Sequence, residues 1–401
     1  MTGPRPVPVA WRSPVLAAGG LALLTGLYAA LLLLGVPVPA PRLPLEEVHG
    51  PLMVFGFVGT LIALERAVAL GARWALLAPA CSGLGAPLLV LTGASLAAKL
   101  LLMTAAVALL GVYRALWRRQ PGAALLAQAA GAFAWYAATL LWLAGFPVAE
   151  TVPWLVTFVV ATILGERLEL AHVALSPAGP RWCLAALAAL VASATATVLW
   201  TGAGAHLFGV SLLAVTAWLA VFDVARRTVR ARGLPRYVAV GLLAGYAWLS
   251  LAGLLWAGAG ATVAGARYDA VLHAAFLGFT MSMIFVHAPV ILPAVLRRPM
   301  PYRPLLYAPL ALLHASLLLR VAIGDGFGIQ LVWRWSGVAN IAAVLGFLLC
   351  AVALSVRPGS VPARRGNARP DGTAPPALTS PAAGPDRGDR PTDSVTAPAV
   401  R

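Results

Sequence analysis

Six histidines, His49, His172, His206, His273, His287 and His314, are the side chains of this sequence best suited to hold a metal or pass a proton. Four of them sit in apolar stretches beside other ionisable groups. His49 opens the run His49-Gly50-Pro51-Leu52-Met53-Val54-Phe55-Gly56-Phe57, which continues to Glu65-Arg66. A second run carries Glu166-Arg167, Glu169 and His172, and a third carries His273 and His287. The cysteines offer less. Cys81, Cys183 and Cys350 lie far apart and no CxxC or CxxCH occurs, which excludes a zinc knuckle and covalent c-type heme attachment. Nor is there a phosphate-binding loop or a hydrolase nucleophile elbow. Any chemistry belongs to the apolar stretches themselves.

Those stretches are membrane spans. With 61% hydrophobic and 10% charged residues, the chain is neither disordered, nor a coiled coil, nor an ordinary soluble enzyme. Apolar runs of about 20 residues, enough to cross a hydrocarbon core of ~30 Å, are expected at 14–34, 48–70, 75–96, 98–117, 122–145, 151–175, 183–201, 206–225, 236–258, 269–295, 304–321 and 333–356. The expected fold is all-α: a polytopic membrane protein with twelve transmembrane helices in one domain, residues 1–356.

The net charge of +16 comes from arginines placed between the runs. With the N-terminus inside, sixteen basic residues fall in inner loops and five (Arg42, Lys99, Arg267, Arg320, Arg334) in outer ones. This bias puts both termini in the cytoplasm and the protein in the cell inner (cytoplasmic) membrane. The five arginines from Arg226 to Arg236 suit anionic lipid headgroups, so membrane lipids rather than nucleic acid are the expected partner. Residues 357–401, rich in Pro, Gly, Ala and Arg, lack apolar periodicity and read as a disordered cytoplasmic tail.

The ionisable groups cluster in spans 2, 6 and 10, and these three share a pattern. Phe57-Val58, Ile62 and Glu65-Arg66 recur as Phe158-Val159, Ile163 and Glu166-Arg167. Gly278-Phe279, Ile284 and His287 follow Gly56-Phe57, Ile62 and Glu65. Matching spans four apart imply a pseudo-threefold arrangement of four-helix units rather than two six-helix halves. Spans 2 and 10 both enter from outside. His49 and His273 are therefore shallow, with Glu65 about 24 Å and His287 about 21 Å deeper at 1.5 Å per residue. Fourteen residues at about 100° each bring His273 and His287 to within about 40° of one face.

Two layers follow. The inner one holds Glu65, Arg66, Glu166, Arg167, Glu169, His172 and His287. It has two readings: interhelical ion pairs among Glu65, Arg66, Glu166 and Arg167, or a proton path or metal site in which His172 and His287 join the carboxylates. Imidazole with carboxylate suits copper, iron or zinc. The outer layer holds His49 and His273. Two histidines at one depth on facing helices are a common arrangement for the axial ligands of heme b, and Gly50, Gly56, Gly59 and Gly278 leave room for a ring. A membrane histidine can also serve as a helix–helix hydrogen-bonding residue; for His206, at the start of span 8, and His314, within span 11, structural or interfacial roles are expected.

His49-Gly50-x-x-Met53-Val54-Phe55 in span 2, and Tyr268-Asp269-Ala270-Val271-Leu272-His273 opening span 10, resemble subunit I of heme–copper oxidases. The segments HGPLMVFGF and LHAAFLGF are more similar to the NnrS family of heme- and copper-containing membrane proteins linked to nitric oxide stress. The resemblance implies His49 and His273 as heme ligands, Met53 beside them, and an outer arginine, Arg267, Arg320 or Arg334, for the propionates. Arg334, flanked by Trp333 and Trp335, also suits an interfacial belt. The oxidase copper histidines of spans 6 and 7 are missing, and span 10 has one outer histidine where oxidases have two. A full oxygen-reducing oxidase is thus not expected. The resemblance implies gas binding, electron transfer or sensing in nitric oxide or respiratory stress, with a diatomic gas such as nitric oxide as ligand and a redox protein as partner. The competing classes are a proton-coupled secondary transporter built on the inner layer and a structural membrane subunit without cofactor.

Overall fold

The computed structural model describes residues 8–39, 41, 43–171 and 178–356. His172 and the expected tail lie outside the described residues. Among the described residues twelve helices are long and apolar enough to cross a membrane: α1 Ala10–Leu33, α2 Leu45–Leu70, α3 Arg73–Thr92, α4 Leu96–Arg119, α5 Ala123–Leu143 and α6 Val148–Leu170. The remainder are α7 Gly179–Leu199, α8 Thr201–Phe222, α9 Leu234–Ala259, α10 Gly265–Leu296, α11 Pro304–Asp325 and α12 Gln330–Val356. No strand occurs among the described residues. The protein is a multi-pass membrane protein.

Apolar length makes these helices, and glycine ends several of them. Span 3 stops at Thr92 rather than near residue 96, because Gly93 has φ +64° and Ser95 then starts α4, its side chain accepting from Ala98 N at 3.3 Å. A serine side chain there satisfies one of the amide groups that a helix start leaves open. Gly71 (φ +72°) closes α2 in the left-handed helical conformation, which glycine, like the different positive-φ state of Gly93, enters without steric cost.

The outward faces are apolar, as lipid contact requires: Leu91, Leu331 and Leu349 are about two-thirds exposed. The inward faces are uneven. The central part of α6 is 83% buried, and those of α2 and α10 are 61% buried, against 33–56% for the other nine. Sequential helices pack side by side through the bundle, and α10 additionally meets α1, α2 and α6. The three helices that carry the ionisable groups are thus the three most enclosed.

Two of them are not regular. Helix α2 widens into a π-helix over Leu52–Gly59, and α10 does so over His273–Met281. A third π segment, Arg320–Asp325, ends α11. When Gly56-Phe57 is laid on Gly278-Phe279, the π segments of α2 and α10 nearly coincide. Helix α6 is α-helical throughout. π-Turns cost hydrogen-bond geometry and recur mostly where function needs a displaced side chain.

Candidate functional site

His49 and His273 line one cavity of about 160 Å³. It is walled by α2 and α10 through their π segments, by α1, α6 and α12, and by Arg320 of α11. Each imidazole is held through Nδ1. That of His49 donates to Gly26 O of α1 at 2.8 Å, and that of His273 to Asp269 O one turn earlier at 2.8 Å. A carbonyl can only accept, so Nδ1 carries the proton in both rings. In the neutral ring Nε2 is then a free lone pair, with no hydrogen-bond partner among the described residues. An imidazole whose far nitrogen is fixed by a carbonyl or carboxylate is the usual form of a metal-ligating histidine.

Behind His273 stands a charged brace. Arg320 Nε and Nη2 each donate to the Asp269 carboxylate at 2.8 Å, and Trp333 Nε1 adds a third hydrogen bond at 3.2 Å. The guanidinium lies over the Trp333 ring, 4.9 Å from its centroid, a cation–π contact. Asp269 Oδ1 is also 3.3 Å from His273 Nδ1. Carboxylate and carbonyl of one residue therefore both orient the ring. Asp325, at the end of the third π segment, leaves a buried oxygen without a partner.

Several expected residues fall elsewhere. Met53 lines the cavity, but Arg334 does not. It reaches toward Gly35, where an added Cβ would lie 3.2 Å from Nη2, and its buried Nε has no partner. The outer cation at the cavity is Arg320. The glycines expected to clear space for a ring are filled by neighbouring helices instead. A Cβ on Gly56 would come within 2.9 Å of Ala86, one on Gly59 within 2.6 Å of Trp135, and one on Gly278 would strike Trp248. Only Gly50 of the four faces open space, and it lines the cavity.

The inner layer surrounds a second, larger cavity of about 500 Å³, lined by Glu65, Glu166 and His287 among mostly apolar side chains. Val58, Thr280, Met281 and Val344 line both cavities, so one layer of residues separates them. Of the two readings of this layer, interhelical ion pairs among Glu65, Arg66, Glu166 and Arg167 are not found among the described residues. Glu65 pairs with its own neighbour Arg66, whose Nη1 reaches Gln128 of α5 at 3.2 Å. Arg167 is buried with Nε unpartnered, and Glu169 is exposed and away from the cavity. Adjacent residues on a helix point about 100° apart, so an i,i+1 pair needs both side chains to bend back.

Among the described residues no three His, Cys, Asp or Glu side chains gather as a metal cluster. The one-face reckoning for His273 and His287 assumed an unbroken 3.6-residue period. The π segment between them interrupts it, and the two rings line different cavities.

The other two histidines join helices. His314 Nδ1 accepts from Trp248 Nε1 at 2.9 Å and its Nε2 lies 3.3 Å from Ser282 Oγ, tying α9, α10 and α11 together. His206 Nδ1 donates to Ala257 O at 2.8 Å, joining α8 to α9.

Asp269, Trp333 and the π segments were not singled out by sequence reasoning. Asp269 had a signal: a carboxylate four residues before a histidine on a membrane helix faces the same side. A family model described as a domain of unknown function (DUF8744) matches residues 12–356. No curated protein matches the chain, and no solved structure does.

Proposed function

Since the chain belongs to the DUF8744 family, whose description assigns no activity, we propose from the site itself that it is a heme-binding membrane protein using His49 and His273 as the two axial ligands. The observation that carries this reading is the pair of imidazoles on one cavity, each fixed through Nδ1 and each with Nε2 open. The donor set fits heme b. Space is the tighter condition, because about 160 Å³ is below the ~300–1,000 Å³ of ordinary ligand pockets. Binding a porphyrin requires lining side chains, such as those of Met53, Leu272 and Phe276, to move and enlarge the cavity. A bound heme with both axial positions taken by imidazole would supply one-electron transfer, and gas binding would require one of the two rings to leave; the protein's part is to fix both rings, exclude water and keep Arg320 beside the site.

This reading places the protein near the NnrS and oxidase subunit I architecture. Its setting is the cytoplasmic membrane with both termini inside, and its role is in nitric oxide or respiratory stress, with a diatomic gas as ligand and a redox protein as partner. The enclosed positions of α2, α6 and α10 and the matching π segments of α2 and α10 support three four-helix units. Copper, if bound, would need His287 together with His172. An optical spectrum of protein purified from heme-replete cells tests the proposal: a Soret band that shifts on dithionite reduction is expected, and a colourless protein overturns it. Topology reporters in the Arg226–Arg236 loop should read cytoplasmic, and those in the 37–46 connection external.

A second reading, a proton-coupled transporter, has its own observation in the larger cavity lined by Glu65, Glu166 and His287. Proton release on substrate addition to reconstituted vesicles, lost in Glu166→Gln, would favour it.

A further inference from the structure

The larger cavity asks for a particular kind of occupant. Its wall is almost wholly apolar; Glu65, Glu166 and His287 lie among the apolar side chains, and Ser13, Arg298 and Ser355 also line it. His287 Nδ1 donates to Met283 O at 2.7 Å, which leaves Nε2 as an acceptor; that nitrogen is buried and has no partner. Glu166, on the facing helix α6, has no hydrogen bond from any described residue. The hydroxyls of Thr162 and Thr280, which also line the wall, are spent on their own helices, donating to Phe158 O and Ala275 O. An unpaired buried acceptor costs about 1–3 kcal/mol, a cost that a ligand bringing donors removes.

The shape narrows the class further. Phe57 and Phe347 line the cavity with a little free surface, Phe347 backed by the fully buried Phe285 with centroids 3.9 Å apart and planes 10° apart. Flat aromatic surface beside acceptors on two facing helices suits a flat ring bearing two hydroxyls. The apolar remainder of about 500 Å³ suits a hydrocarbon tail. We infer that this cavity binds the reduced, dihydroxy form of a lipid-soluble quinone, its hydroxyls donating to His287 Nε2 and Glu166 and its tail lying along the apolar wall. The occupant would sit one residue layer, Val58, Thr280, Met281 and Val344, from the His49/His273 cavity. The inference does not depend on whether that cavity holds heme.

The test is anaerobic calorimetric titration of the full chain in lipid nanodiscs with decylubiquinol, decylubiquinone and decylammonium. The two quinone forms share a tail and differ in whether the head donates. The hydroquinone is expected to bind about tenfold more tightly, the equivalent of one or two net hydrogen bonds. His287→Phe should erase most of that difference while leaving quinone binding in place, and His287→Gln, which retains an acceptor, should restore part of it. The same titration on His49→Ala should be unchanged, which separates failure of this inference from failure of the heme proposal. Equal binding of the two quinone forms, or binding of neither, overturns the inference. So does tighter binding of decylammonium that is lost in Glu166→Gln, which would make this a site for lipophilic cations.

Discussion

The two cavities share α1, α2, α6, α10 and α12 as walls, and every imidazole on them is tied at Nδ1 to a carbonyl, yet they differ in what surrounds those rings. At the His49/His273 cavity both rings are tied at Nδ1, and the Asp269–Arg320–Trp333 brace satisfies its members with charge-assisted or indole hydrogen bonds. At the larger cavity His287 Nε2 and, nearby on α6, Arg167 Nε are buried without partners. The π segments of α2 and α10 contribute to both walls; His273 opens one of them, whereas His49, Glu65 and His287 stand on regular α-helical turns. Two fixed rings with open nitrogens on a small cavity, one of them braced by a carboxylate, are pre-organised for a fixed ligand. A single open imidazole within a roomy apolar wall is arranged for an occupant that comes and goes.

The strongest way to break this comparison is to remove the ligating rings one at a time. His49→Ala and His273→Ala should each abolish the six-coordinate heme spectrum, while His287→Ala and His206→Ala leave it intact. If His287→Ala removes it and the outer variants do not, the roles of the cavities are reversed. Next in size is the brace. Arg320→Ala strands a part-buried carboxylate and should cost about 3–5 kcal/mol of stability, read as a lower melting temperature in detergent; Arg334→Ala, outside the cavity, should cost far less.

Asp269→Asn sharpens the comparison. It keeps the backbone carbonyl that His273 uses but loses the carboxylate, and should weaken heme retention by about 10–100-fold with the melting temperature lowered less than in Arg320→Ala. The smallest effect belongs to a histidine outside both cavities. His314→Ala removes the Trp248 hydrogen bond and should cost about 1 kcal/mol, with the heme spectrum unchanged. A spectral change there would extend the site along α11 from Arg320 to His314.

The amino-acid sequence alone determined the twelve spans, because apolar length sufficient to cross a membrane is a local property of each run. It also determined that Glu65, Glu166 and His287 share a level, and that His49 and His273 belong together, because both follow from position along helices that start on one side. Tertiary structure decided the rest. Nothing in Leu52–Gly59 or His273–Met281 marks a π-helix: the extra width is a backbone choice that depends on what packs outside. The neighbours of Gly56, Gly59 and Gly278 lie on other helices, so reading those glycines as space for a ring could not be corrected along the chain. Arg320 and Asp269 are 51 residues apart, and no local pattern distinguishes Arg320 from Arg334. Packing distinguishes them, by turning one guanidinium onto a carboxylate and an indole and the other toward Gly35.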